Sequence, residues 1–273
     1  EKNRVLIEKK LISNTIDWDA IVKVSTNHFV FPALYCNLKR ANFLKYVPDD
    51  LVEYMIHITN LNRERNEQII EQAKELNRLL LDHNITPIFL KGTGNILEGL
   101  YEDIAERMVG DIDFIFSKKE YTKAIKILTT HKYSKVIKSN NCFPSFRHYP
   151  RIVKENSIAA VEIHKEILLE KYANEFNYDF IKKDCLKTNN ISVMSYKNQL
   201  SLSIISKQIN DDGFYYKDIL LRNAYDVFLL SKKTIAKDAF SKFDTLRNPL
   251  NCFLASCFEV FNKPNSLKYT STK

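Results

Sequence analysis

The spacing of hydrophobic residues changes twice along the chain, from helical to mixed and back to helical. Over 62–83, apolar residues recur at intervals of three and four, which predicts a helix with one buried face. Pro87 follows, and the apolar run 87–91 predicts a buried strand. Helical spacing returns after about position 195. The predicted regions are an N-terminal helical region (1–84), a core (85–192) and a C-terminal helical region (193–273).

Short apolar segments alternate with helical ones inside the predicted core. Strands are expected over 111–116, 133–138, 146–154 and 158–167, and helices over 93–101, 118–131, 198–209, 216–232, 236–246 and 250–262. Segment 102–110 resembles a loop, and the tail from Lys263 is polar. Ser117 followed by Glu120 predicts a capping box that opens a helix. This order of elements indicates an α+β fold in which helices flank a mixed sheet.

Composition narrows the class of protein. Hydrophobic residues make up 45% and charged residues 27% of the chain, as in a globular protein. No apolar run approaches the roughly 20 residues of a membrane span, so we expect no membrane partner. The five cysteines are widely spread without a Cys-x-x-Cys, which argues against a disulfide framework and a cysteine zinc site. A reducing, cytoplasmic location is the simplest expectation.

The net charge of +8 favours an anionic partner such as a nucleotide or RNA. Most of the excess comes from lysines scattered along the chain, and no dense basic run with interleaved aromatic residues is present. A solvated, lysine-rich surface explains the same charge. Charge alone therefore leaves the partner open.

Glycine is scarce and unevenly placed. Of five glycines, four lie between positions 92 and 110. Glycine is required where φ is positive or where a ligand approaches the backbone closely. Lys91, Gly92 and Thr93 stand where a predicted strand ends and a helix begins, a place where backbone N–H groups can receive a phosphate. An ordinary strand-to-helix connection has the same pattern.

Acidic residues recur with strand spacing in two of the predicted strands. Asp111 and Asp113 are two apart, which places both carboxylates on one face, and Glu162 and His164 repeat that spacing. Carboxylates on apolar strands are costly unless a cation compensates them, and Mg²⁺ is commonly held by one or two carboxylates plus substrate phosphates. Arg107 lies just before the first of these strands and could reach a phosphate with two hydrogen bonds. Salt-bridged or solvated side chains are the alternative for each of these residues.

The segment 90–116 resembles the uncharacterised nucleotidyltransferase family of the DNA polymerase beta-like superfamily. That family carries a Lys-Gly turn, a tyrosine, an arginine, an Asp-hydrophobic-Asp pair and a later carboxylate-hydrophobic-His pair. The matching residues are Lys91, Gly92, Tyr101, Arg107, Asp111, Asp113, Glu162 and His164. Segment 220–230 resembles the helical C-terminal part of the family. Thr93 replaces the serine of the wider superfamily, Glu162 replaces a frequent aspartate, and Lys165 replaces a frequent aromatic residue.

The resemblance implies a polymerase beta-like core and an enzyme that moves a nucleoside monophosphate from a nucleoside triphosphate to an acceptor hydroxyl, releasing pyrophosphate. It implies Mg²⁺ or Mn²⁺ as cofactor and ATP as the default nucleotide. The implied catalytic and metal-binding residues are Asp111, Asp113 and Glu162, and the implied nucleotide-binding residues are Lys91, Gly92, Thr93, Arg107 and His164. Lys207, Arg222 and Asp226 could line the same cleft, although surface or internal ion pairs explain them more simply.

Two other functions fit parts of the pattern. A glycosyltransferase also uses Asp-x-Asp to bind a metal and a nucleoside diphosphate, but it has no Lys-Gly phosphate turn upstream. A degenerate domain could bind nucleotide or a partner without catalysis, although the intact carboxylates argue against it. The acceptor (a small molecule, a protein side chain or a tRNA) and the oligomeric state stay open.

Overall fold

The protein was analysed as a computed structural model that describes residues 2–136 and 147–270. Its helices are α1 (Lys2–Ile12), α2 (Trp18–Asn27), α3 (Phe31–Arg40), α4 (Asp49–Asp82), α5 (Lys91–Leu97), α6 (Lys118–Thr130), α7 (Tyr178–Lys182), α8 (Tyr196–Ile205), α9 (Gly213–Tyr216), α10 (Leu221–Ser231) and α11 (Arg247–Val260). Its strands are β1 (Ile88–Phe89), β2 (Asp111–Ile115), β3 (Ser134–Lys135), β4 (Ile152–Val153), β5 (Ala160–His164), β6 (Leu186–Thr188) and β7 (Ile191–Val193).

The strands within these described ranges form one sheet in the order β3-β4-β5-β2-β1-β7-β6. The pairs β2–β5 and β1–β7 are parallel, and the other neighbouring pairs are antiparallel. Apolar side chains of the central strands, such as Phe114 and Val161, are fully buried. The prediction of an α+β fold with helices flanking a mixed sheet is confirmed.

One hydrophobic core joins α4, the sheet and the C-terminal helices. Ile69 of α4, Phe89 of β1 and Leu250 of α11 belong to the same buried cluster. A smaller cluster around Phe31 and Met55 lies among the N-terminal helices. The larger cluster crosses the predicted boundary at 84, and β7 ends one residue beyond the predicted boundary at 192. The division into three regions stays a prediction.

Buried amides of α4 hold the loops that precede the two central strands. Asn66 donates to the backbone carbonyls of Ile104 and Arg107, at 2.7 Å each, just before β2. Gln72 donates to the carbonyl of Ala159 at 2.9 Å and accepts from its N–H at 3.0 Å, just before β5. Buried backbone groups need such partners, so these amides fix where β2 and β5 begin.

The predicted helix over 216–232 is confirmed over α10 (Leu221–Ser231) but wrong at its start, because residues 217–220 are not helical. Lys217 takes a left-handed conformation with φ of 55°, and residues 218–220 lie outside helices. Gly213 approaches its neighbours so closely that a Cβ there would lie 2.6 Å from the carbonyl oxygen of Lys207. The N–H of Asp218 then donates to the carbonyl of Gly213 at 2.8 Å, which closes a tight turn. Tertiary packing therefore overrides the helical spacing of this segment.

Several other elements differ in length or type from the prediction. The helix over 236–246 is a short 3₁₀ segment at Ala236–Phe240, and the helix over 198–209 ends in a π-helical turn at Ser206–Asn210. Strands β6 and β7 were not predicted. The strands over 133–138 and 146–154 shrink to β3 and β4, and residues 137, 138 and 146 lie outside the described part of the chain.

The predicted start of α6 is correct, but the capping box is not formed. Ser117 occupies the N-cap position, yet its hydroxyl donates to Glu120 Oε2 at 2.5 Å instead of accepting from the backbone.

In the described residues, none of the helices is both long and apolar enough to span a membrane.

Candidate active site

Two buried carboxylates face each other across the central pair of parallel strands. The register of β2 and β5 places Asp113 beside Glu162, and these residues are 6% and 7% exposed. His164 is buried next to them, with Nε2 at 2.8 Å from Asp113 Oδ1 and 3.7 Å from Glu162 Oε2. One ligand atom from each of the three residues falls within a mutual distance of 4.8 Å. The structure thus brings together three of the four residues that the strand spacing singled out, and Asp111 is not part of this group.

Lys91 provides the first counter-charge for these carboxylates. Its Nζ lies 2.5 Å from Asp113 Oδ1 and 3.4 Å from Glu162 Oε2. Lys91 is the first residue of α5 and has a φ of 51°, an uncommon conformation for a residue other than glycine. Burial lowers the pKa of Lys91, but the charges of Asp113 and Glu162 raise it by more than burial lowers it. The ammonium form of Lys91 is therefore favoured. The residue predicted to bind phosphate is therefore paired with the carboxylates.

Arg151 provides the second counter-charge, and sequence reasoning missed it. Its Nη2 lies 2.7 Å from Asp111 Oδ2 and 3.0 Å from Glu162 Oε1, and its Nε donates to the same Glu162 oxygen at 3.2 Å. Arg151 falls within a segment predicted to be a strand, one position before β4. No motif marks it, because only the pairing of β4 with β5 brings it to the carboxylates.

The pKa values of the two carboxylates that contact Arg151 shift in opposite directions. Burial alone would raise the pKa of Glu162, but its contact with His164 and the charge of Lys91 outweigh burial, so its pKa lies well below the usual range. Burial raises the pKa of Asp111 more than Arg151 lowers it. Glu162 is thereby strongly favoured as an anion.

Two further basic residues, Arg147 and His148, lie near these carboxylates, and the sequence analysis did not single them out. The rings of His148 and His164 have centroids 5.2 Å apart. Burial lowers the pKa of Arg147, while the charges of Asp211, Glu162 and Asp113 oppose that effect. Burial also lowers the pKa of His148, so the positive charges near the three carboxylates come from Lys91, Arg147 and Arg151. Positive charges in this position suit an anionic substrate.

Thr93, predicted to bind phosphate, uses its hydroxyl inside the fold. Thr93 is fully buried, and its Oγ1 donates to the backbone carbonyl of Asp111 at 2.7 Å. This hydrogen bond ties the start of α5 to the start of β2. The side chain thereby holds the Lys91–Gly92 turn against the carboxylate strand, and its phosphate-binding role stays a prediction.

Arg107, also predicted to bind phosphate, is a buried residue paired inside the fold, and its phosphate-binding role stays a prediction. It is 6% exposed, and its Nε lies 3.1 Å from Asp226 Oδ2. Tyr101 donates to the other oxygen of Asp226 at 2.7 Å. A Cβ on Gly92 would lie 3.3 Å from the Arg107 guanidinium carbon, so the arginine packs directly beneath the turn. The simpler explanation for Asp226, an internal ion pair, is correct.

The other two residues of the C-terminal region also lie in structural contacts. Lys207 Nζ pairs with Asp218 Oδ2 at 2.5 Å. The Arg222 guanidinium lies over the ring of Phe29, 5.0 Å from its centroid. The Lys207 pair agrees with the ion-pair explanation given above, whereas Arg222 packs on an aromatic ring.

Comparison with known families agrees with this geometry. A family model described as "Uncharacterised nucleotidyltransferase" matches residues 14–259. The chain belongs to this family. The family resemblance stated from the sequence is thus confirmed, and the protein is a nucleotidyltransferase enzyme.

Comparisons with curated proteins and with solved structures add little about this nucleotidyltransferase. No curated protein matches the sequence. The chain is similar to the solved structure of the antibiotic-resistance factor ANT(2'')-Ia, with a TM-score of 0.44 and 9% identity. The match covers 72% of this chain and 97% of that one.

The glycine turn of this nucleotidyltransferase yields a prediction about stability. A Cβ on Gly94 would lie 2.8 Å from the carbonyl oxygen of Phe89, a backbone atom that cannot move without shifting β1. We expect Gly94→Ala to lower the free energy of unfolding by about 1–3 kcal/mol in urea denaturation. Gly110→Ala is the matched control, because no atom lies within 4 Å of a Cβ there, and it should stay within about 0.5 kcal/mol. Equal losses in the two variants would contradict this account of the turn.

Proposed function

We propose that this nucleotidyltransferase moves a nucleoside monophosphate from a nucleoside triphosphate to an acceptor hydroxyl at the Asp111, Asp113 and Glu162 cluster. The observation that carries the proposal is the cluster itself. Carboxylates from two adjacent parallel strands meet on one face, two of them buried, with their charge offset by Lys91 and Arg151. Buried carboxylates are costly in a fold unless a positive charge compensates them, and clusters of such perturbed groups are typical of functional sites.

The residues present fit a divalent cation with hard oxygen ligands. Mg²⁺ and Mn²⁺ prefer carboxylate oxygens, which Asp111, Asp113 and Glu162 supply. His164 Nε2 contacts Asp113, so we assign it to orienting that carboxylate. A bound cation of this kind would offset phosphate charge and make the acceptor hydroxyl easier to deprotonate.

The chain's own residues would hold the triphosphate and direct its reaction. The Lys91–Gly92 turn presents its backbone beside the carboxylates, and Lys91 adds a positive charge there. The acceptor oxygen would form a bond to the α-phosphorus while the bond from that phosphorus to the bridging oxygen breaks. Pyrophosphate would leave with the electron pair of the broken bond. Positioning and charge compensation are what such a site contributes to phosphoryl chemistry.

The substrates and the location of the enzyme follow as further proposals. ATP is the default nucleotide, as the family resemblance implies. The acceptor is a small molecule, a protein side chain or a tRNA, and the net charge of +8 tilts the choice toward RNA. We propose a cytoplasmic location, based on the scattered cysteines.

Pyrophosphate release tests the proposal directly. Each of the four nucleoside triphosphates would be incubated with the protein and Mg²⁺, with total RNA or a cell extract offered as acceptor. We expect release with one preferred nucleotide and none from the Asp111→Ala/Asp113→Ala variant. Nucleotide binding without release in any mixture would favour a binding-only domain. Turnover of a nucleotide-sugar donor instead would favour a glycosyltransferase.

A further inference from the structure

Arg151 differs from Arg107 in what its side chain contacts. The guanidinium hydrogen bonds described for it all go to Asp111 and Glu162. Its backbone is fixed separately, because the N–H of Val136 donates to the Arg151 carbonyl at 3.0 Å. By contrast, Arg107 is held by a buried aspartate and a backbone carbonyl. The side chain of Arg151 is therefore tied to the site alone.

The exposure of Arg151 leaves it free to change partners. Its side chain is 51% exposed, against 28% for Lys91 and 9% for Glu162. A long side chain on a fixed backbone can turn from one partner to another without disturbing the core. The exchange would need no movement of β2 or β5, because the carboxylates would stay in place.

Arg151 and a divalent cation compete for the same two carboxylates. Arg151 occupies one oxygen each of Asp111 and Glu162, and its positive charge disfavours a cation on the remaining oxygen of each. A cation bound there would in turn repel the guanidinium, which would be stabilised by other anionic oxygens nearby. A triphosphate supplies them, and the planar fork of an arginine matches phosphate oxygens well.

We propose that Arg151 is a triphosphate-binding residue that neutralises Asp111 and Glu162 in the free protein and turns to the triphosphate when these carboxylates take up a divalent cation. The inference rests on the proposed function, because it requires a triphosphate at this site. It assigns to Arg151 two effects of opposite sign. The residue opposes binding of the cation alone and favours binding of the cation together with the nucleotide.

Binding measurements separate these two effects without requiring turnover. Mn²⁺ alone would be titrated by the loss of its free electron paramagnetic resonance signal. A non-hydrolysable ATP analogue with Mn²⁺ would be titrated by calorimetry. We expect Arg151→Ala to bind Mn²⁺ several-fold more tightly and the analogue about tenfold more weakly, as for loss of a charge-assisted hydrogen bond. Arg151→Lys keeps the charge without the fork and should lie between wild type and Arg151→Ala.

A matched control and three outcomes decide the proposal. Lys118→Ala removes an exposed cation that pairs with Glu166 at 2.8 Å, outside the carboxylate cluster, and should leave both affinities unchanged. If both affinities of Arg151→Ala match wild type, or both weaken together, the exchange is wrong. If Arg151→Ala does not fold, Arg151→Lys with wild-type affinity for the analogue overturns it. If wild type binds no analogue, the proposed function itself fails, and the role of Arg151 with it.

Discussion

Replacing Asp113 with asparagine should reduce pyrophosphate release about a thousandfold. Asp113 is the carboxylate that Lys91 and His164 both contact, and it lies beside Glu162 in the sheet. Asparagine keeps the size of the side chain but removes the charge that would hold a divalent cation. Loss of several kcal/mol of transition-state stabilisation corresponds to roughly this change in rate.

The same substitution at an exposed position controls for this effect. Asp82 is the last residue of α4 and is exposed, so Asp82→Asn should leave the rate unchanged. Melting temperatures of both variants would show that they are folded. If Asp113→Asn kept more than a tenth of the wild-type rate, the carboxylate cluster would not be the catalytic centre.

Replacing Asp226 with alanine should lower the free energy of unfolding by about 3–5 kcal/mol. Asp226 is 2% exposed and accepts from both Arg107, at 3.1 Å, and Tyr101, at 2.7 Å. Its removal leaves a buried guanidinium without a counter-charge, which is far costlier than loss of an exposed pair. Urea denaturation at neutral pH measures the change.

Two further variants isolate the cause of this loss. Asp226→Asn keeps the side-chain volume and an acceptor for Tyr101 but loses the charge and the acceptor for Arg107, so it should destabilise less than alanine does. Asp218→Ala breaks the pair with Lys207, in which Asp218 is 54% exposed, and should cost less than about 1 kcal/mol. A loss below 1 kcal/mol in Asp226→Ala would show that Arg107 has other compensation.

The pairing of acidic residues was predictable because it depends on local spacing. Asp111 and Asp113 share a face because side chains alternate with a two-residue period along a strand. The apolar neighbours of these residues and of Glu162 indicated that both segments are buried strands. That Asp113 and Glu162 lie directly side by side was not predictable, because strand order and register follow from the whole sheet.

The side-chain partners of Arg107, Thr93 and Arg151 could not be predicted from the spacing of residues along the chain. Arg107 pairs with an aspartate 119 positions away, and Thr93 with a backbone carbonyl 18 positions away. Arg151 reaches the site through β4, a strand of only two residues with no clear alternation. Each outcome depends on long-range contacts that leave no periodic signal along the chain.

Transfer of an isotopic label from the α-phosphate tests the central claim most directly. The preferred nucleoside triphosphate would be supplied with label in the α-position or in the γ-position, together with Mg²⁺ and the acceptor mixture. The account predicts that α-label enters an acceptor, that γ-label appears only in pyrophosphate, and that neither occurs with Asp111→Ala/Asp113→Ala. Entry of γ-label into the acceptor, or transfer that survives in the double variant, would contradict nucleotidyl transfer at this cluster.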